Sequence, residues 1–535
     1  YIYSSRVLGE SSLQTHLSDM AILSYAGTVE SLTEIARLFS NDLLGNGNLF
    51  SGWDNYLESP MLYTGLISLL LFPQYIAQNS KNKKKIIILL CACIPFFFPF
   101  FRYALWLFTG NYYRTYSFII SMMLLIGSLK ALQRFYINKT INYKLLVYTF
   151  CVLSCGLFVI FFSNDIEMTN NITFLIVGLL SAYTAIIFAV KKLGSPYWLN
   201  GLLIIIIIEA ALFAKITVSD RIALTPSDFQ KGKNYKDITI DALNEINKID
   251  DGFFRITKDY FSNNTYEISY NDSKVQNYYG ISSYNSFNQW NYVRFLDRVN
   301  VINANDTQST IWIKGPNSRL LLLSLLGSKY YFAMEPISEI GQMYFRKKIS
   351  IKNLTVYENE NVLPLGFAYT RIAAESDHQK LSSFQKDVNI LKLCILSDQD
   401  FVQFEDSYIS SDIKKYPNYT LDEYSRDINI LKENSFKTSY FSDNLIKGDI
   451  FLDMPGILFF SIPFDEGWEI LVNDQTINPL RINYGFLGIP LGSGKYSISL
   501  NFFPPWLKSG CFVSFISLLF YLYFIKIYRR NNGSN

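Results

Sequence analysis

The chain has 535 residues, of which half are hydrophobic and only 17% are charged. Soluble globular domains usually carry about a quarter charged residues, so this deficit indicates that part of the chain contacts lipid. The formal net charge of +3, without a long block of lysine and arginine, argues against a nucleic-acid-binding protein.

The first segment, residues 1–59, is predicted to lie outside the membrane and to contain an amphipathic helix. Apolar residues recur there at helical spacing, and Ser31 and Glu34 have the spacing of a capping box. The apolar residues are Val29, Leu32, Ile35, Ala36 and Phe39. Two interpretations stay open, a helix lying on the bilayer surface or a helix packed on spans that precede this chain. Because the chain starts at Tyr1 without a signal peptide, we expect it to be the C-terminal portion of a longer protein.

Long apolar runs predict membrane spans, since about 20 apolar residues cross a hydrocarbon core of roughly 30 Å as a helix. Seven runs qualify: Pro60–Ala77, Ile86–Phe101, Tyr116–Gln133, Tyr143–Phe162, Ile172–Val190, Tyr197–Thr217 and Gly510–Ile527. The second run contains Pro95 and Pro99, which predict a kink or a break. Residues 60–217 are thus predicted to form a transmembrane domain of about six spans, and residues 509–535 a final span with a basic tail.

Lysine and arginine concentrate in alternate connections between these runs, which predicts that those connections are cytoplasmic. The cations are Lys81, Lys83, Lys84, Lys85, Lys130, Arg134, Lys139, Lys144, Lys191, Lys192, Lys526, Arg529 and Arg530. The same rule places residues 1–59, 102–115 and 218–508 outside. The sequence therefore predicts a multi-pass protein with a large extracytoplasmic domain.

The extracytoplasmic region is predicted to have two parts. Residues 218–350 have a mixed α/β pattern, with helices over Ile238–Ile249, Asn285–Asn300 and Arg319–Leu326 and strands over Phe253–Thr257 and Tyr266–Tyr270. Residues 351–508 are strand-rich and predict an antiparallel β-sandwich. Its clearest strands are Ile457–Pro463, Trp468–Val472, Gly485–Leu491 and Tyr496–Phe502.

The sequence lacks a phosphate-binding glycine loop, a dinucleotide fingerprint and a paired-histidine zinc motif. Candidate site residues are instead arginines, tyrosines and carboxylates predicted at the outer membrane surface. Arg102 and Arg114, with Tyr103 and Tyr113 beside them, have the chemistry to bind a lipid phosphate. The alternative is that these arginines snorkel or pair with acids of residues 1–59.

Three acids on the same predicted side, Asp42, Asp54 and Glu58, are candidates for a base or a metal ligand. The alternative is that each is an ordinary loop acid. Glu209 lies inside a predicted span and should face protein or water, because a carboxylate in lipid is costly.

Several segments, taken in order, resemble the bacterial YfhO family of membrane proteins. They are Ser283–Asn288, Leu322–Tyr331, Val356–Gly366, Phe460–Trp468, Gly485–Gly494 and Phe502–Pro505, followed by the terminal span. The resemblance implies an α-helical polytopic glycosyltransferase of the GT-C type in the bacterial cytoplasmic membrane. Its active site would face outward and take a sugar from a polyprenyl phosphate. Members are associated with glycosylating teichoic acids.

The catalytic acid of GT-C enzymes usually lies in the first outer loop, which we expect to precede these residues, so no catalytic base is assigned. We expect the C-terminal portion to be inactive alone, and whether a divalent metal is needed stays open. Two rival functions are kept. One is a transporter or flippase for a lipid-linked sugar, and the other is a non-catalytic glycan-binding protein of envelope assembly.

Overall fold

The computed structural model describes residues 22–532 except 55, 80–81, 106–112, 139, 164–165, 167–169, 194–196, 220–224, 231, 263–269, 286–287, 412 and 414. The chain divides into two compact units. Within the described residues, unit 2 comprises residues 22–219 and unit 1 comprises residues 225–532. Residues 266–269 of the predicted strand Tyr266–Tyr270 and most of the loop after Arg102 lie outside the described residues.

Unit 2 is helical. Its helices are α1 (Thr28–Phe39), α2 (Leu66–Gln78), α3 (Lys83–Phe97), α4 (Pro99–Leu105), α5 (Tyr113–Asn138), α6 (Tyr143–Phe161), α7 (Asn170–Leu193) and α8 (Trp198–Ser219). A 3₁₀ turn spans Gly47–Leu49. The interruption at Phe98, between Pro95 and Pro99, confirms the break predicted in the second apolar run.

Five helices of the described chain are long and apolar enough to cross a membrane. Four belong to unit 2, namely α5, α6, α7 and α8, and the fifth closes unit 1. They coincide with five of the seven predicted runs. The first run forms only the 13-residue α2, because residues 60–65 are not helical. At 1.5 Å per residue, α2 is about 20 Å long.

The buried face of α1 agrees only in part with the apolar face that its sequence predicts. Ala36 and Phe39 are buried as predicted, but Val29 and Ile35 are exposed. The other buried residues are polar, namely Glu30, Thr33, Glu34 and Arg37. The predicted capping box is wrong, because the helix begins after Gly27 without a side-chain cap and Ser31 lies inside it. The acids of this helix instead contact side chains on other segments of unit 2.

Unit 1 combines helices with five small sheets. Its helices are α9 (Ile238–Ile246), α10 (Asp272–Gln276), α11 (Trp290–Arg298), α12 (Thr307–Ile311), α13 (Leu320–Leu325), α14 (Glu339–Tyr344), α15 (Glu375–Gln379), α16 (Ser383–Ile390), α17 (Asp398–Phe404), α18 (Leu421–Glu433) and α19 (Leu507–Asn532). Two 3₁₀ turns, Pro226–Phe229 and Asn234–Lys236, precede α9. The last helix, α19, is exposed along its length, as a helix in lipid would be.

Some strands of unit 1 alternate buried and exposed side chains, and others are buried along most of their length. They are β1 (Arg255–Lys258), β2 (Ser283–Tyr284), β3 (Trp312–Ile313), β4 (Ser328–Ala333), β5 (Phe345–Ile351), β6 (Leu354–Asn359), β7 (Gly366–Tyr369), β8 (Arg371–Ala374), β9 (Cys394–Leu396), β10 (Ile409–Ser410), β11 (Lys437–Phe441), β12 (Leu445–Leu452), β13 (Gly456–Pro463), β14 (Trp468–Val472), β15 (Gln475–Ile477), β16 (Leu480–Ile482), β17 (Phe486–Leu491) and β18 (Gly494–Phe502). The four clearest strand predictions are confirmed to within two residues at each end.

Two antiparallel sheets near the end of unit 1 share one apolar core. One sheet has the order β11-β12-β18-β14-β15 and the other β16-β17-β13-β7. Ile450 and Leu500 of the first sheet and Leu458 and Leu487 of the second belong to the same buried cluster. Between β7 and β11 the chain forms four helices, α15 to α18, and a small parallel sheet of β10, β8 and β9.

Candidate functional site

A cavity of about 680 Å³ lies inside unit 2, within the size range of small-molecule sites. Its walls come from α2, α5, α8 and the non-helical segments around residues 40–42 and 61–65. Polar lining residues are Ser40, Asn41, Asp42, Tyr56, Tyr63, Thr64, Ser68, Arg114, Ser128, Glu209 and Thr217, and apolar ones include Leu71, Leu125, Leu129, Leu132, Ile206 and Phe213.

The charged residues Arg114 and Asp42 lie at one end of the cavity. Arg114 lies at the start of α5 and Leu132 lies 18 residues later, which corresponds to about 27 Å along the helix axis. On α8, Thr217 is near the end and Ile206 is about three turns earlier. The charged end therefore coincides with helix termini, and farther along the helices the lining is mostly apolar, with Ser68, Ser128 and Glu209 as its polar members.

Asp42 is fixed at the charged end of the cavity. Its Oδ1 accepts a hydrogen bond of 2.8 Å from the Tyr56 hydroxyl, and its Oδ2 accepts one from the Thr217 hydroxyl. The residue is buried yet lines the cavity. Two donors from different segments therefore hold one carboxylate in a defined orientation.

Glu209 is the second carboxylate of the cavity. It accepts hydrogen bonds from the hydroxyls of Tyr63 and Tyr183 and, at 2.8 Å, from the backbone N–H of Leu66. Gly65, at φ +90°, supplies the left-handed backbone that precedes Leu66, and such a conformation suits glycine. The prediction that Glu209 faces protein or water is confirmed, since it is only 2% exposed.

Arg114 contributes the cation that lines the cavity. Its Nη1 donates to the carbonyl oxygens of Leu57 at 2.9 Å and Tyr56 at 3.3 Å. The side chain is half-buried, and no carboxylate within the described residues forms an ion pair with it. Its positive charge is therefore available to an anion in the cavity.

Arg37 is a second, fully buried cation close to this end, and no sequence motif indicates it. Its Nη1 donates to the Pro60 carbonyl at 3.1 Å, and its guanidinium lies 4.6 Å from the ring centre of Phe50 and 4.9 Å from that of Tyr56. Burial lowers the pKa of Arg37 to about 10, so the side chain stays charged at neutral pH.

Several buried polar atoms around the charged end have no hydrogen-bond partner among the described residues. They are Arg37 Nε and Nη2, Asn41 Oδ1, Ser59 Oγ and Thr64 Oγ1. Buried polar groups are normally hydrogen-bonded, so a concentration of unsatisfied donors beside a cavity indicates a polar ligand. Most of these atoms are donors, which favours a ligand head rich in acceptors.

Arg102 and Tyr113 occupy a separate buried cluster. Arg102 forms an ion pair with Glu30, donates to the Pro95 carbonyl at 2.9 Å and lies 4.0 Å from the ring centre of Tyr113. Tyr113 in turn donates to Glu34. For Arg102 the structure thus shows the pairing with acids of residues 1–59 that the sequence left open for the two arginines.

This cluster raises the pKa of its carboxyl groups. Desolvation by burial raises the pKa of Glu34 to about 8, and the neighbouring Glu30 acts in the same direction. Burial also raises the pKa of Glu30, although the Arg102 guanidinium opposes the shift. At neutral pH a large fraction of Glu34 is therefore protonated.

The remaining candidates do not line the cavity. Tyr103 is half-buried beside Arg102, while Asp54 and Glu58 are exposed. In the part of the chain that the structure describes, no group of three or more His, Cys, Asp or Glu side chains is arranged to hold a metal ion. The site therefore brings together Asp42, Glu209 and Arg114 and leaves Asp54, Glu58 and Arg102 elsewhere.

Comparisons with known proteins identify the family. The model of the family described as "Bacterial membrane protein YfhO" matches residues 27–422 and 417–514. The "Uncharacterized protein YfhO" of Bacillus subtilis (strain 168) is 31% identical over 77 residues, which cover 14% of this chain and only 9% of that relative. No solved structure matches the chain. Because the family model covers most of its length, the chain belongs to the YfhO family of bacterial membrane proteins.

Proposed function

We propose that this chain is part of a GT-C-type glycosyltransferase that takes a sugar from a polyprenyl-phosphate donor at the outer face of the bacterial cytoplasmic membrane. The acceptor is a cell-envelope polymer such as teichoic acid. The observation that supports the proposal is the cavity of unit 2, with a charged end at the helix termini and a mostly apolar lining farther along the helices. A lipid with an anionic head and a hydrocarbon tail has the same division.

Arg114 is the residue that we assign to the donor phosphate. Its guanidinium lines the cavity and has only carbonyl oxygens as partners among the described residues, whereas Arg102 is committed to Glu30. Guanidinium groups bind phosphate oxygens through paired, charge-assisted hydrogen bonds. Arg37 adds a second positive charge behind the same end, while Arg102, Tyr103 and Tyr113 do not line the cavity.

The transfer reaction needs a base for the acceptor hydroxyl. The acceptor oxygen forms a bond to the anomeric carbon, the bond from that carbon to the phosphate oxygen breaks, and polyprenyl phosphate leaves with the electron pair. The acceptor proton passes to a carboxylate. Of the three acids considered from sequence, only Asp42 lines the cavity, so it is our candidate within this chain. The resemblance to GT-C enzymes places the base in a preceding outer loop instead.

The test uses the full-length protein in its host, with membrane levels checked for every variant. Arg114→Ala is compared with Arg134→Ala, which changes the same residue type toward the other end of α5 and outside the cavity lining. We expect the sugar content of purified teichoic acid to fall at least about tenfold in Arg114→Ala and in a deletion strain, and to stay at the wild-type level in Arg134→Ala.

Other outcomes separate the parts of the proposal. A loss of sugar in the deletion but not in Arg114→Ala would keep the transferase and remove the phosphate assignment. Unchanged sugar in the deletion, in a strain without a second family member, would remove the teichoic acid assignment. Asp42→Asn distinguishes the two positions of the base, because wild-type activity in this variant places the base outside the described cavity.

A lipid-linked-sugar translocase is the second candidate, and Glu209 favours it. This carboxylate lines the cavity about 15 Å from the end of α8, and polar groups inside spans often mark substrate pathways. Purified protein in proteoliposomes separates the two functions. A translocase moves a fluorescent polyprenyl-phosphate sugar between leaflets without acceptor, whereas a transferase consumes the donor only when acceptor is added.

A further inference from the structure

Unit 1 contains its own cavity of about 960 Å³, formed entirely by extramembrane elements of that unit. It lies between α9, β1, the segment around α10, and the edge of the β13–β17 sheet. We call it the unit 1 groove, and its lining includes Asn247, Asp251, Arg255, Lys274, Asn277, Tyr279 and Asp443.

Tyr279 lines the groove, and its position is held by aromatic contacts and a backbone hydrogen bond. Tyr279 is 46% exposed although it belongs to a cluster with Phe253, at 5.1 Å between ring centres, and Phe441, at 5.5 Å. Its backbone carbonyl accepts a 2.8 Å hydrogen bond from Ile256 in β1. A tyrosine fixed in this way offers an apolar surface and a hydroxyl at little cost in side-chain entropy.

Planar polar side chains line the same groove as this tyrosine. Asn247, Asn277 and Asp443 are exposed and line the groove, and no side-chain hydrogen bond is present for them within the residues described. Together they supply both donors and acceptors. Such groups can bind hydroxyl groups, which donate and accept in the same way.

The charges that line the groove balance. Asp250 is paired with Lys329 at 2.5 Å. Of the other lining charges, Asp251 and Asp443 oppose Arg255 and Lys274. Arg255 is committed to protein atoms, since it donates to the carbonyl oxygens of Leu326 at 2.5 Å and Ser461 at 2.7 Å. A groove without net charge does not select a polyanion.

We propose that the unit 1 groove binds a segment of an uncharged saccharide chain. A pyranose ring has apolar C–H faces that can pack on Tyr279 and hydroxyl groups at its edge that can pair with Asn247, Asn277 and Asp443. The inference goes beyond the proposed transfer reaction, because it concerns binding in unit 1 and requires no chemistry in unit 2.

The test measures binding of three neutral tetrasaccharides to the full chain in nanodiscs by titration calorimetry. The probes are cellotetraose, maltotetraose and the tetramer of N-acetylglucosamine. We expect at least one to bind saturably, and Tyr279→Ala and Asn247→Ala each to weaken that binding about tenfold. Tyr440→Ala is the matched control, because Tyr440 is 51% exposed on β11 and does not line the groove. Thermal unfolding of each variant shows whether it is folded.

Two results would overturn the inference. The first is that no tetrasaccharide binds the wild-type chain. The second is that folded Tyr279→Ala and Asn247→Ala both bind as tightly as Tyr440→Ala. None of these measurements depends on sugar transfer, so a failure here is distinguishable from a failure of the proposed function.

Discussion

At the scale of single residues, buried charge is the main feature of unit 2. Arg102, Glu30 and Glu34 are each at most 6% exposed, and each finds its partner on another segment of the unit. A buried ion pair contributes little net stability compared with apolar packing, but removing one partner leaves an uncompensated charge. The cluster therefore determines where α1 packs in unit 2 and contributes little to the free energy of unfolding.

The raised pKa of Glu34 predicts a pH dependence of stability. Between the ordinary carboxyl pKa of 4.5 and about 8, folded Glu34 holds a proton that the unfolded chain has released. The stabilisation linked to this proton is complete below pH 4.5, falls as pH rises, and is lost above about pH 8. We expect Glu34→Gln to reduce the pH dependence of the unfolding temperature, measured on the detergent-solubilised chain between about pH 5 and 8.

A matched control for this experiment is Glu58→Gln, because Glu58 is exposed. The pKa of Glu30 is also raised, so Glu30 makes the unfolding temperature fall with pH in the same direction. Glu34→Gln should therefore reduce the slope of unfolding temperature against pH rather than abolish it. An identical slope in wild type and Glu34→Gln, with Glu58→Gln unchanged, would contradict the assignment of the proton to Glu34.

The residue scale also shows where prediction from sequence stops. Arg102 and Arg114 are 12 positions apart and carry the same local signal, yet one is buried against Glu30 and the other lines the cavity. The difference depends on which face α1 turns inward, and its apolar periodicity indicated only part of that face, since Ala36 and Phe39 are buried but Val29 and Ile35 are exposed. Glu209 was predictable because a carboxylate inside a span has few acceptable environments. Arg37 has no local pattern that distinguishes it from a surface arginine.

At the scale of elements, close packing joins α2 and α5. A Cβ added at Gly127 on α5 would lie 2.7 Å from two ring atoms of Phe72 on α2. The helices therefore approach each other closely where the glycine lies, which brings the cavity walls together.

We expect Gly127→Val to destabilise the chain by about 1–3 kcal/mol, because the added methyl groups force Phe72 and its helix to move. Gly156→Val on α6 is the control, since a Cβ built there has no heavy atom of another segment within 4 Å. Thermal unfolding in detergent measures both. Equal unfolding temperatures for the two variants would show that α2 and α5 do not depend on this contact.

Helices and strands were predictable from sequence where turn residues and apolar runs determine their conformation locally. Strands β13, β14, β17 and β18 are apolar runs bounded by turn residues, so pattern and structure agree. Helices α15 to α18 lie in a stretch interpreted as strand-rich. The short α16 and α17 pack apolar residues on the large core around Leu391, so tertiary contacts decide their conformation. In contrast, α18 carries local signals that the interpretation missed, namely a capping box of Thr420 and Glu423 and buried residues at helical spacing.

At the scale of the whole molecule, the distribution of lysine and arginine predicts the orientation of both units. Ser493 lies in an exposed turn of unit 1, and Thr140 lies in the cation-rich connection before α6. We expect a membrane-impermeant maleimide to label Ser493→Cys but not Thr140→Cys in intact protoplasts, because the predicted orientation places only the first outside.

Wild-type protein gives the background for this labelling, since the described Cys394 is buried and the other cysteines lie in apolar helices. Permeabilised protoplasts should expose Thr140→Cys to the reagent. Labelling of Thr140→Cys in intact protoplasts, with Ser493→Cys protected, would reverse the orientation and with it the side of the proposed reaction.

The short helix α2 has a consequence for how the protein is made. Its 13 residues cannot cross a membrane alone, and the non-helical residues before it depend on side chains that are synthesised later. The N–H of Met61 donates to Ser117 on α5, and that of Leu66 donates to Glu209 on α8. When α2 leaves the ribosome, neither partner yet exists. This segment therefore reaches its final depth only after α8 has entered the bilayer, so truncation before α8 should leave residues 60–78 accessible to water.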